Sequence, residues 1–180
     1  MRSMWRGGRK LTPRPIMPHD ASLRGDCSRC IGLCCVALAF DRGPQFAFDK
    51  PAGTACRHLD PGHACAIHDR LEREGFPGCA RYDCRGAGQL VTAMFAGLSW
   101  RDSPAVARQM FAAFAKLREI QIMRSISRTF FARLAPPERG WTLAALSAFD
   151  LAALRRELAD HLASQARTPM LRSGGHRGGQ

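Results

Sequence analysis

The sequence predicts an α-rich protein of the α+β class, in which a small, irregular cysteine-rich metal-binding module packs on a C-terminal helical hairpin. Three observations carry this expectation. All eight cysteines lie between Cys27 and Cys84. The same stretch is broken by Gly and Pro into pieces too short for regular elements. Beyond Gly88 the apolar residues take up a helical period.

Taken in order, residues 1–26 carry Gly, Pro and Arg without an apolar period and read as a disordered basic arm. Residues 27–88 form the cysteine module. Within it 36–40, 45–48, 57–59 and 66–67 suggest short strands, and 69–74 a short helix stopped by Gly75. Residues 89–166 read as helical. After an apolar stretch at 89–98, Ser103-Pro104 pairs an N-cap with proline at the first helical position. Val106, Met110, Phe114, Leu117, Ile120, Met123 and Phe130 follow at mostly three- and four-residue spacing. They predict one long amphipathic helix to about Arg133, ended by Pro136-Pro137. Thr142 or Asp150 can cap a final helix, along which Leu151, Leu154, Leu158 and Leu162 make an apolar stripe ending near Ala166. The Gly-rich tail, 167–180, reads as disordered.

With 180 residues the chain has room for one ordinary domain, and its 46% apolar content excludes wholesale disorder. The basic N-terminus runs into Leu-Thr-Pro-Arg-Pro rather than an apolar segment, so no secretory signal is expected. No apolar run approaches the roughly 20 residues that span a membrane. The expected location is cytoplasmic, where thiols stay reduced.

The net charge of +12 is unevenly spread. Over 27–88, eight basic residues less seven acidic ones leave +1; over 89–135, seven less two leave +5. The basic flank makes nucleic acid a candidate partner through Arg101, Arg108, Arg118, Arg124, Arg128 and Arg133. The bland alternative is the arginine preference of a GC-rich genome, which the near absence of lysine favours.

Cysteines this dense in a reduced compartment point to metal. The module holds few large apolar side chains for its length, a shortfall that metals commonly offset in small domains; a structural zinc contributes roughly 10 to 16 kcal/mol. Cys27 and Cys30 form a Cys-x2-Cys pair, and Cys34 lies one helical turn beyond Cys30, so these three can converge on one ion. Adjacent side chains diverge, so Cys34 and Cys35 should not both ligate one mononuclear site; they serve two centres, or one of them packs. Cys56, Cys65, Cys79 and Cys84 supply a second quartet. His58, His63 and His68 could replace a thiol, His68 best, three residues after Cys65. Two zinc sites, an iron-sulfur cluster with spare thiols, or a mixed centre all remain open.

The run Cys27-x2-Cys30-x3-Cys34-Cys35, followed by Lys50-Pro-Ala-Gly-Thr-Ala-Cys56-Arg-His-Leu59, Cys65-Ala-Ile-His68-Asp-Arg70 and Cys79, resembles the bacterial cysteine-cluster family described as zinc- or iron-chelating, the CxxCxxCC type. The resemblance covers about a third of the chain. It implies that Cys27, Cys30, Cys34, Cys35, Cys56, Cys65 and Cys79 form the chelating set, with Cys84 an addition. Three residues rather than two precede Cys34, Leu71 replaces a frequent Pro, and Cys79 comes late. Phe76-Pro-Gly-Cys-Ala-Arg-Tyr-Asp-Cys-Arg-Gly-Ala-Gly-Gln89 with Trp100-Arg-Asp-Ser-Pro is similar to the N-terminal part of some actinobacterial pentapeptide-repeat proteins, without the repeats.

Other motifs carry little. Cys-x2-Cys-x3-Cys reverses the radical-SAM order, and Gly86-Ala-Gly88 lacks the third glycine of a dinucleotide fingerprint. The expected role is therefore a zinc or iron-sulfur protein that acts as a binding module for a protein partner, its metal structural and no residue catalytic. Two alternatives stand beside it: an iron-sulfur redox or protein-modification enzyme component, and a metal-dependent nucleic-acid binder.

Overall fold

Residues 23–127, Phe130 and residues 141–167 are described by a computed structural model. The expectations for residues 1–22, the Pro136-Pro137 terminator, Arg128, Arg133 and the tail from 168 lie outside these. Among the described residues the protein is mostly helical. These residues include six helices with described bounds, α1 Leu33–Ala37, α2 Pro77–Arg81, α3 Ala87–Met94, α4 Pro104–Ile126, α5 Leu143–Ala148 and α6 Leu151–Arg167, and among them there is no strand.

The expected strands fail for one reason: apolar runs of two to five residues cannot be assigned by periodicity alone. Val36 lies in α1, and the extended segments meet only as isolated antiparallel bridges, Phe40 with Lys50, Gly43 with Phe46 and Leu59 with Cys65. The expected helix over 69–74 is a single 3-10 turn, His68–Arg70, followed by turns to Gly75.

α4 organises the helical part. Ser103 Oγ accepts the Val106 N–H at 3.2 Å, and Pro104 occupies the first turn, where its missing donor costs nothing. Met110, Phe114, Leu117, Ile120 and Met123 are buried along one face and pack with Leu33 of α1, Leu90 and Val91 of α3, Leu146 of α5, and Leu154 and Leu158 of α6. α4 stops at Ile126 instead of near Arg133, because Ser127 turns to extended backbone. Both expected caps operate, and they divide the final helix in two. Thr142 Oγ1 accepts from Ala145 N at 3.1 Å and Asp150 Oδ1 from Ala153 N at 2.9 Å, starting α5 and α6 separately. No described helix is long and apolar enough to cross a membrane.

The cysteine region spreads over two cores. Its first part is clamped to α3 and to the turn that follows it: Asp26 N donates to Gln89 Oε1 at 2.7 Å, Ile31 N to Thr92 Oγ1 at 3.3 Å, and Trp100 Nε1 to Ile31 O at 2.9 Å. Its second part surrounds a small separate core of Ile67, Leu71 and Phe76. There Phe40 stacks on Phe46 at 4.5 Å, and Phe48 meets Phe76 edge-on at 5.2 Å.

Candidate metal centre

Cys27 opens the site in a 3-10 turn, Cys27–Arg29, whose N-cap Asp26 accepts from Ser28 N at 3.1 Å. Cys30 follows in extended backbone, and the chain reverses at Gly32, φ 70°, to start α1. A side chain at Gly32 would be strained in backbone and would press on Leu59, whose Cδ1 lies 2.7 Å from an ideal Cβ. Cys84 arrives from the loop between α2 and α3. A Cβ at Gly88 would sit 2.7 Å from Cys30 Sγ and 3.7 Å from Cys84 Sγ, so the two sulfurs share the bare backbone of α3 as a floor. Burial pushes the Cys27 thiol up, and the neighbouring sulfurs of Cys30 and Cys84 add to it. Burial also raises Cys30, against which the Leu33 and Gly32 N–H groups and Thr92 favour its thiolate. Cys30, Cys34 and Cys84 pack against the helical core.

The second group is built on the end of α1. Cys56 N donates to Cys35 O and Gly53 N to Val36 O, both at 2.9 Å, laying the 51–56 loop against the helix terminus. Cys56 is raised by burial and eased by the His58 N–H; Cys65 is raised by burial and eased by the Ile67 N–H. In each case a thiol faces the backbone amide two residues onward, the local geometry that stabilises a thiolate. Cys79, from α2, is pushed up to about 11 by burial and then by Cys35, Cys56 and Cys65. Cys65 and Cys79 pack against the small aromatic core.

The eight thiols thus sort into Cys27, Cys30, Cys34 and Cys84 on the helical side and Cys35, Cys56, Cys65 and Cys79 on the aromatic side. The adjacent pair joins them: Cys34 Sγ and Cys35 Sγ are 3.9 Å apart at the same turn of α1. A hydrogen bond to Cys35 raises Cys34 well above its ordinary value, with burial adding to the effect, and the same bond lowers Cys35. This grouping differs from a division by sequence order, in which Cys84 falls with the second quartet. All eight are free thiols. They are gathered without being closed: among the described residues no three or more His, Cys, Asp or Glu side chains stand so as to hold a metal ion.

His58, His63 and His68 take three different positions. His58 packs edge-on against Phe76 at 5.3 Å, and His63 Nε2 pairs with Ser99 Oγ at 3.1 Å beside Trp100. His68 is exposed and, with Arg24 and Cys27, lines an open cleft of about 610 Å3. Of the arginines named as a nucleic-acid surface, Arg101 donates to Asp60 O and Pro61 O and lies over Trp100, and Arg124 donates to Gln121 Oε1 at 2.7 Å. Arg108 is exposed, and Arg118 is half-buried.

One residue beside the thiols enters the sequence reading only as the first letter of a motif, with no role assigned. Lys50 is 4% exposed, and its Nζ donates to Thr54 O at 2.9 Å, Pro51 O at 3.2 Å and Val36 O at 3.4 Å. The available signal is composition: only three of the chain's 27 basic residues are lysine. A point-like ammonium suits a cage of carbonyls where a planar guanidinium does not.

Fold and site together define a mostly helical, cysteine-rich protein, and its relatives are bacterial. The chain is 46% identical over 102 residues to Uncharacterized protein YybG of Bacillus subtilis, a match covering 56% of this chain and 37% of that protein. It is 38% identical over 53 residues to UPF0153 protein PA1578.1 of Pseudomonas aeruginosa, covering 29% of this chain and 63% of that protein. The chain therefore spans less than two thirds of either relative. No protein-family model and no solved structure matches it.

Proposed function

We propose that this chain is a cytoplasmic metal-binding module, in which each thiol quartet takes a thiolate-preferring metal, as zinc or as an iron-sulfur cluster, and the metal serves first to hold the fold. The observation that carries this is the sorting of eight free thiols into two sets of four about the Cys34–Cys35 step. The donor set fits: all-sulfur quartets are the usual ligands of structural zinc and of iron-sulfur clusters. Backbone N–H groups already favour the thiolates of Cys30, Cys56 and Cys65. Without a cation these neighbouring sulfurs resist joint ionisation, as the raised Cys79 illustrates. A metal removes that conflict and draws the sulfurs in, to about 2.3 Å for zinc.

The resemblance to chelating CxxCxxCC proteins and the UPF0153 relative support the same reading. The match to 37% of YybG suits a module that longer proteins join to further sequence and that docks on a protein partner. The metal when bound supplies cross-linking, while this chain's residues position it and exclude water.

Purification without oxygen followed by metal and sulfide analysis tests the proposal. About two zinc ions per chain, or stoichiometric iron and sulfide with a brown colour, is expected, and replacing Cys65 and Cys79 by Ser should unfold the aromatic side of the site. A metal-free wild type, or a double variant with full metal and unchanged thermal stability, would defeat it. Colour separates the two chemistries, since a colourless zinc protein eliminates the cluster and any electron-carrying role.

A further inference from the structure

Lys50 is built into the aromatic side of the site in a way that the need for a loop staple does not exhaust. Its ammonium is buried, and it lies 5.4 Å from the centroid of the Phe40 ring. Its three carbonyl partners come from the end of α1 and from the 51–54 loop, the two segments that deliver Cys35 and Cys56. The ladder partner of Lys50 is Phe40: Lys50 N donates to Phe40 O at 2.8 Å and Phe40 N to Lys50 O at 3.0 Å, so its backbone is fixed as well. The charge on this side chain acts on Cys56, Cys35, Cys34 and Cys79. Among the described residues no carboxylate is bonded to it, and the hydrogen bonds it makes there go to neutral carbonyls.

A buried cation without an anion is costly unless a partner offsets it. Four thiolates around a divalent ion leave two negative charges, which a buried ammonium halves. We infer that Lys50 is the internal counter-cation of the Cys35, Cys56, Cys65 and Cys79 centre, a positioning residue that makes this quartet hold its metal more tightly than four thiols alone. The inference rests on the metal-binding reading given above. It also makes the two quartets unequal, because three of the four thiols that Lys50 acts on belong to this quartet and only Cys34 to the other.

The test follows metal release from the loaded full-length protein into excess chelator, with Lys50→Gln and Lys50→Arg beside wild type. Lys50→Gln keeps a donor for the carbonyls and removes the charge; Lys50→Arg keeps the charge. Groups that support metal ligands through a second layer of contacts typically change affinity by about 10- to 100-fold. The expected result is that half of the metal leaves Lys50→Gln about 10- to 100-fold faster than wild type, the other half leaves at the wild-type rate, and Lys50→Arg, which keeps the charge but fits the carbonyl cage less well, falls between Lys50→Gln and wild type. Equal release from Lys50→Gln and wild type, or equal acceleration of both halves, overturns the inference while leaving metal binding intact. Failure of both variants to fold would make Lys50 a structural staple only and overturn it too. A wild type that carries no metal would defeat the parent reading and this inference together.

Discussion

The two quartets differ in what stands behind them. Cys30, Cys34 and Cys84 rest on a core of fifteen buried residues drawn from five of these helices and completed by Phe95 and Phe130, whereas Cys65 and Cys79 rest on three, Ile67, Leu71 and Phe76, with partly buried aromatics around them. The helical side has enough apolar burial to fold by packing. The aromatic side does not, and its loops are joined by isolated bridges and turns. Metal should therefore be an addition to the first region and the main support of the second, a difference consistent with Lys50 lying on the second side.

Paired core truncations sharpen this contrast most. Phe114 is fully buried in α4, and Phe114→Ala should cost about 3 to 5 kcal/mol whether or not metal is present. Phe76→Ala removes a ring of the same size from the small core, and because folding there is linked to binding, its cost should be read mainly as weaker metal retention. Chemical denaturation of loaded and metal-free protein, with chelator competition, measures both. A metal-free Phe76→Ala that loses as much stability as metal-free Phe114→Ala would erase the difference between the regions.

A smaller effect separates the loaded and metal-free states by pH. Cys79 titrates near 11 in the fold against an ordinary 9.0, raised by burial and then by Cys35, Cys56 and Cys65. Between these values the folded chain binds more protons than the unfolded one. Its contribution is complete below pH 9 and is lost as the pH climbs through 11. Cys56 and Cys65, raised by burial, act in the same direction. The loaded protein should show the opposite trend on the acid side, since protons compete with metal for thiolates. Thermal midpoints of the two forms across pH should diverge accordingly; parallel profiles would contradict metal ligation by these thiols.

Much of the helical side was legible because its rules are local. Ser103-Pro104 announced α4, and the stripe from Met110 to Met123 named its buried face correctly. Where a single polar residue intervened, pattern gave way: Ser127 ends α4 early, and Asp150 splits the last helix. The cysteine side was legible in composition and not in arrangement. Cys84 is remote in sequence from Cys27 and Cys30, yet Gly25 and Gly88 bring it beside them. Cys35 turns toward Cys56 because the 51–56 loop bonds to the end of α1, a tertiary contact with no periodic trace. Lys50 escaped because a lone lysine in a loop is ordinarily solvated, and only the carbonyl cage reveals its burial.

The central claim is that eight thiols make two centres of four, divided between Cys34 and Cys35. Metal content of Cys30→Ser and Cys65→Ser proteins, purified without oxygen beside wild type, tests it most directly. Two independent quartets predict that each variant loses about half the metal, and that the double variant loses nearly all of it. Loss of all metal in either single variant would show one shared centre, and full retention in both would show that these thiols hold none.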